Sequence, residues 1–184
     1  MKPDLNTLVS RTGFGKWLNE NGFTGEGVEV GSLSGGYARE IMKDWNGRRL
    51  HLVDPWEPQS KEIYKEDVSG VDWLGCYKEC LRFAFEVAPR VNMIRALSVP
   101  AAQLFRPQSL DFVYIDGNHS YEAVIEDIIA WSIKIRPGGL LCGHDYWNDP
   151  PHGEPKRAVD EFQKSSNIPM HYTPNCGSWW FIKP

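Results

Sequence analysis

Apolar and polar positions along this chain switch between a period near 3.6 and a period of 2, and the switches divide it into elements. Residues 4 to 22 carry a helical spacing, clearest at Phe14, Trp17 and Leu18, with Asn21-Gly22 as a helix stop. Gly27-Val28-Glu29-Val30-Gly31 alternates as a strand and runs into the glycines Gly31, Gly35 and Gly36. Ala38, Ile41, Met42 and Trp45 fall at i, i+3, i+4 and i+7, the stripe of an amphipathic helix, with Ser34 placed to cap it. Arg49 to Asp54 is a second strand that ends in a carboxylate. The spacing predicts a helix over 72–87 whose inner face is Leu74, Tyr77, Leu81, Ala84 and Phe85, then a buried strand from Val91 to Ala96 and a brief helix capped by Ser98. A fourth strand, Ser109 to Asp116, leads into a helix through Tyr121, Val124, Ile125, Ile128, Trp131 and Ile135, capped by Ser120 and stopped at Pro137-Gly138-Gly139. Leu140 to Gly143 is a short apolar fifth strand. A helix with inner face Ala158, Val159 and Phe162 follows, and Met170 to Thr173 pairs with Ser178 to Ile182 as a closing hairpin.

Strand-then-helix units with apolar strands imply a parallel sheet covered on both faces. The expected fold is α/β: a Rossmann-like, doubly wound, mostly parallel seven-stranded sheet with helices on both faces and a C-terminal antiparallel hairpin. One domain over 1–184 is expected, with residues 1–25 as an N-terminal helical extension. The stretches 55–72 and 146–155 are polar and proline-bearing without a firm period, and read as lid or substrate loops.

Composition narrows the class. The 184 residues, 41% hydrophobic and 24% charged, are those of an ordinary globule, and a formal net charge of -4 offers no electrostatic attraction for nucleic acid. There is no apolar run of ~18 residues to span a membrane. Met1 to Ser10 lacks the apolar block of a signal peptide, so a cytoplasmic location is expected. Cys76, Cys80, Cys142 and Cys176 form no C-x-x-C pair and read as reduced thiols rather than a zinc site. Whether the chain forms a homo-oligomer is open in a linear pattern.

The candidate chemistry gathers at strand ends. Gly31, Asp54, Ser98, Asp116, His144 and Asp145 fall at five carboxyl ends, the rim where open α/β sheets bind ligands. Glycines after the first strand let backbone N–H groups face a ligand, and Asp54 stands where an acid accepts ribose hydroxyls. Trp56 either stacks on an adenine or lies on a surface excursion. Ser98 either touches the ring or merely caps its helix. The pattern Glu29-x-Gly31-x-x-x-Gly35-Gly36 lacks the middle glycine of G-x-G-x-x-G, which argues against a nicotinamide oxidoreductase, and resembles the first motif of class I S-adenosylmethionine-dependent methyltransferases. The resemblance implies S-adenosylmethionine as cofactor, held by Glu29, Gly31, Ser32, Gly35, Asp54, Trp56, Ser98 and Asp116.

For methyl transfer to an alcohol, a divalent cation would lower the hydroxyl pKa, and Asp116, His144 and Asp145 are the candidate ligands. Two carboxylates suit Mg²⁺, and the imidazole tilts the set toward Mn²⁺, Fe²⁺ or Zn²⁺. Tyr114 to Tyr121, Asp127, Trp131, Pro137-Gly138-Gly139 and Gly143-His144-Asp145-Tyr146 resemble the methyltransferase family that includes the macrocin-type sugar O-methyltransferases. That resemblance implies a small-molecule methyl acceptor and metal ligands at Asp116, His144 and Asp145; at His144 the sugar-modifying relatives carry a carboxylate. The layout is also similar to catechol O-methyltransferase, whose general base is a lysine where this chain has His119. Asp116, His119 and His144 are therefore the expected catalytic residues. His119 is a general base or simply bonds a backbone carbonyl, and His144 touches metal or substrate or orients Asp145. A metal-independent methyltransferase with a histidine base and a non-catalytic nucleotide-binding module are the alternatives.

Overall fold

The computed structural model describes residues 11–62, 64, 68–147 and 153–184. Residues 4–10 of the expected first helix, and 63, 65–67 and 148–152 of the two expected loops, lie outside the described residues. The elements, in chain order, are α1 (Phe14–Glu20), β1 (Glu26–Val30), α2 (Gly36–Asp44), β2 (Arg49–Asp54), α3 (Trp73–Glu86), β3 (Val91–Arg95), α4 (Ser98–Ala102), β4 (Leu110–Ile115), α5 (Tyr121–Ser132), β5 (Ile135–Gly143), α6 (Gly153–Ser166), β6 (Met170–Thr173) and β7 (Ser178–Ile182).

One seven-stranded sheet runs in the order β3-β2-β1-β4-β5-β7-β6. Its first five strands are parallel, and β7 enters antiparallel between β5 and β6. This is the doubly wound sheet with a terminal hairpin that the strand–helix alternation implies. Strand order reverses at β1 and β4, so a crevice opens there. Register decides what lines it. Val30 pairs with Val53 and with Ile115, and Ile115 pairs with Gly143. The next residue on each strand therefore falls in one row: Gly31, Asp54, Asp116 and His144. The ladder continues into that row through Gly31 N to Val53 O at 2.8 Å, Asp116 N to Val30 O at 2.9 Å and His144 N to Ile115 O at 3.1 Å.

Alternating side chains divide into two cores, one on each face. Leu50, Leu52, Phe112, Tyr114, Leu140 and Trp180 meet Phe14, Trp17, Ile41 and Trp45 of the first face. Val28, Val30, Val113, Ile115, Leu141 and Trp179 meet Ile128, Trp131, Ala158 and Val159 of the second. All four cysteines are free thiols. No helix among the described residues is long and apolar enough to cross a membrane.

Four local expectations are corrected. The α2 N-cap is Gly35, at φ 79°, with no side-chain cap, so Ser34 does not cap it. The α4 N-cap is Leu97, and Ser98 is its first residue. Ile135 does not extend the fifth helix: it opens β5 by pairing with Leu110, and Pro137-Gly138-Gly139 lies within that irregular strand start. The inner face of α3 is also turned. Leu74 and Phe85 are 61% and 74% exposed, whereas Cys80 and Phe83 are buried. The helix carries two overlapping apolar stripes, and the one containing small Cys80 wins because it lets α3 approach Gly35, where an added Cβ would stand 3.4 Å from the Cys80 sulfur. Ser120 caps α5 as expected, accepting from Ala123 N at 3.3 Å.

Candidate active site

A cavity of about 600 Å³ sits at the carboxyl ends of β1, β2, β3 and β4. Gly31 makes its floor possible. It sits at φ 84°, and an added Cβ would collide with the Asp116 carbonyl, so only glycine lets the ends of β1 and β4 close together. Asp54 is locked by backbone: Oδ2 accepts from Leu33 N at 2.9 Å and Oδ1 from Trp56 N at 2.7 Å. Burial pushes the Asp54 carboxyl up, and those two N–H bonds oppose it. Leu33 and Trp56 both take left-handed backbone, φ 46° and 45°, a conformation that non-glycine residues hold only where the surroundings enforce it.

Glu29 is 1% exposed and lines the same cavity. Burial pushes its carboxyl up to about 8, opposed by the neighbouring Ser32 hydroxyl, which donates to the Glu29 main-chain carbonyl at 3.4 Å. Its Oε2 has no hydrogen-bond partner among the described residues. A buried acceptor without a partner at a cavity wall fits a ligand that brings a donor or a cation. Ser98, also on the wall, accepts from Trp131 Nε1 at 2.8 Å and interacts with Asp127, whose carboxyl burial pushes up to about 7.

The second half of the rim is made by β4 and β5. His119 Nε2 lies 3.1 Å from Asp145 Oδ2 and 3.8 Å from Asp116 Oδ1. His144 Nδ1 lies 3.1 Å from Asp145 Oδ1 and 3.9 Å from Asp116 Oδ1. Burial alone would raise the Asp145 carboxyl; the His144 hydrogen bond and the His119 charge outweigh it and hold it well below its ordinary value. Asp145 itself adopts φ 62°. Donor atoms of Asp116, His144 and Asp145 all lie within 4.8 Å of one another, close enough for one ion, and the oxygen-rich set with one imidazole suits Mn²⁺ or Mg²⁺.

The expected residues thus sort by place. Glu29, Gly31, Ser32, Asp54, Ser98, Asp116 and His119 line the cavity. His144 and Asp145 stand beyond its wall and reach it through Asp116 and His119. Gly35 is the left-handed N-cap of α2 and does not line the cavity. Trp56 is corrected: its ring is 3% exposed in the core, edge-on to Tyr77, with Nε1 bonded to Leu33 O at 2.6 Å, so it does not offer a face to the cavity. His119 lies against the carboxylates of Asp145 and Asp116. One residue escaped sequence reasoning altogether. Arg11 donates from Nη2 to Asp116 Oδ2 at 2.7 Å across 105 positions, and an isolated charge ahead of an amphipathic helix carries no local signal of that contact.

Residues 28–146 match the family model described as "Methyltransferase domain". That span is well over half the chain and includes the cavity, Asp116, His119 and His144 to Tyr146. The chain belongs to this methyltransferase-domain family, and its sheet is that of the class I S-adenosylmethionine-dependent methyltransferases. Among solved structures it is similar over 98% of its length to a Corynebacterium glutamicum protein, at 18% identity, TM-score 0.65 and 82% of that chain. It is similar over 93% of its length to a Staphylococcus aureus protein provisionally named caffeoyl-CoA O-methyltransferase, at 7% identity, TM-score 0.68 and 81% of that chain. At such identities the likeness is one of fold. A curated relative, the uncharacterized protein R132 of Acanthamoeba polyphaga mimivirus, is 24% identical over 127 residues, 65% of this chain; the chain spans about half the length of that relative.

Proposed function

We propose that this protein transfers a methyl group from S-adenosylmethionine to a hydroxyl of a small molecule such as a sugar, polyol or phenol, assisted by a divalent cation. The observation that carries the reading is one contiguous rim: a cavity walled by Glu29 and Asp54 that ends against Asp116, His119, His144 and Asp145. When bound, the cofactor supplies an electrophilic methyl on a sulfonium and the cation supplies a lowered hydroxyl pKa.

The chain's own residues do the remaining work. Glu29 offers a buried carboxylate to the cofactor's ammonium group, and Asp54, already oriented by two N–H bonds, offers its remaining lone pairs to the ribose. His119 is the base. With its Nε2 side turned to Asp145, whose Oδ2 lies 3.1 Å away, His119 would take the hydroxyl proton at Nδ1. Asp145 stabilises the imidazolium so formed. Asp116, His144 and Asp145 would hold the cation.

The same His119–Asp145 contact supports a second reading, a metal-independent transfer in which the histidine base acts alone. Chelation separates the two: activity that persists with chelator and disappears in His119→Ala selects the second. The underlying test is calorimetric titration of S-adenosylhomocysteine into the protein and into Asp54→Ala. Binding that the variant loses supports the cofactor site. A folded protein that binds none overturns both readings.

A further inference from the structure

We propose that Arg11 is a positioning residue of the reaction centre: it clamps Asp116 by Oδ2 and so presents Oδ1 to the cation site. The inference rests on the cation reading above and adds a residue that precedes the matched methyltransferase region.

Arg11 is held at every level. Its backbone bonds the Cys176 thiol in the β6–β7 turn. Its guanidinium carbon stands 4.0 Å from the centre of the Tyr37 ring on α2 and 5.4 Å from that of Tyr114 on β4. Its tip is bonded to Asp116 at 2.7 Å. Burial works against the guanidinium charge; the fields of Tyr114, Asp116 and Tyr37 and the hydrogen bond to Asp116 outweigh it and hold the pKa above its ordinary value. Three separate parts of the fold therefore converge on one side chain. Phe14, the first residue of α1, stacks on Tyr37 at 6.3 Å and tilts against Tyr114 at 5.8 Å, so the rings that receive the guanidinium also seat the helix that follows it.

The two oxygens of Asp116 are thereby assigned. Oδ2 belongs to Arg11, while both histidines approach Oδ1, at 3.8 and 3.9 Å. A charge-assisted bond on one oxygen fixes the plane of the carboxylate, and groups that fix a ligand in this way typically change metal affinity 10- to 100-fold when removed. A guanidinium beside the site could instead act only as a competing charge. The two roles differ in sign: losing a clamp weakens cation binding, and losing a competitor strengthens it.

Mn²⁺ binding, followed by electron paramagnetic resonance of the free ion, is measured in the full chain and in Arg11→Ala, Arg11→Gln and Arg11→Lys. Titration with S-adenosylhomocysteine runs beside it as a check on the fold. The expected result is a weakening of Mn²⁺ by about 10- to 100-fold in the alanine and glutamine variants. Lysine recovers part of the loss, because it restores the charge without the planar fork, and S-adenosylhomocysteine affinity stays within about twofold. Equal or tighter Mn²⁺ binding in Arg11→Ala and Arg11→Gln overturns the clamp. A parent protein that binds S-adenosylhomocysteine but no Mn²⁺ overturns the clamp together with the cation, and leaves the methyltransferase reading standing. A parent protein that binds neither overturns that reading itself.

Discussion

The two halves of the rim are built by different means. Around β1 and β2 the groups are fixed by neighbouring backbone: Asp54 by the amides of Leu33 and Trp56, Gly31 by its own left-handed conformation against the Asp116 carbonyl. Around β4 and β5 they are fixed by one another, carboxylate against imidazole and guanidinium. The first half is rigid because breaking it would leave buried amides unpaired. The second rests on side-chain pairs, so its geometry depends on which partners are present. On the proposed function, a site that held one cofactor and moved one proton would benefit from both.

The sharpest way to break this comparison is to remove a group from each half. Asp145→Ala removes the nearer carboxylate from both histidines, and turnover should fall by about 10²- to 10⁴-fold with only a modest drop in the urea midpoint, the share of stability that its lowered pKa represents. A large loss of stability instead would make the second half structural. Gly31→Ala should do the reverse, lowering unfolding free energy by about 2–4 kcal/mol through a strained φ and a clash with the Asp116 carbonyl, read by urea denaturation. Asp54→Ala should weaken S-adenosylhomocysteine by about 10- to 100-fold in calorimetry, the worth of hydrogen bonds to a charged acceptor.

Glu29 sharpens the comparison through pH. Its carboxyl is raised from an ordinary 4.5 to about 8 in the folded chain. Between those values the folded state holds a proton that the unfolded state has lost, so this group's contribution makes stability fall as pH rises through that window. Glu29→Gln should flatten that part of the stability profile. At pH 7, S-adenosylhomocysteine binding should release a proton, seen as a dependence of binding heat on buffer ionisation enthalpy, and the variant should lose it. The smallest effect belongs outside the site: Leu74→Ser and Phe85→Ser on the exposed face of α3 should change stability by less than about 0.5 kcal/mol each, whereas Phe83→Ala should cost about 3–5 kcal/mol. Equal costs would mean that α3 presents the other stripe to the core.

How much was legible follows the range of the interactions. The β1–α2–β2 cradle could be read because its signals are local: a glycine turn, a helical stripe, an acid at the next strand end. The closing hairpin, at Met170–Thr173 and Ser178–Ile182, was legible for the same reason. Trp56 was misread because an aromatic in a proline-bearing loop has the composition of a binding residue, and only the left-handed turn at Trp56 sends its ring into the core. The face of α3 was misread because two stripes share the helix, and periodicity does not rank them. Ile135 was misread because an apolar residue one turn beyond a helix fits its stripe until the strand register of Leu110 claims it.

By itself the order of apolar and polar residues determined the strand–helix alternation, the hairpin and the presence of acids and histidines at strand ends, because each depends on contacts within a few positions. Tertiary structure decided which of those groups meet. The register between strands sets Gly31, Asp54, Asp116 and His144 in one row, and the packing of Phe14 on Tyr37 and Tyr114 delivers Arg11 to Asp116 from 105 residues away. Such meetings are fixed by shape and burial summed over the whole sheet, and no stretch of the chain contains them.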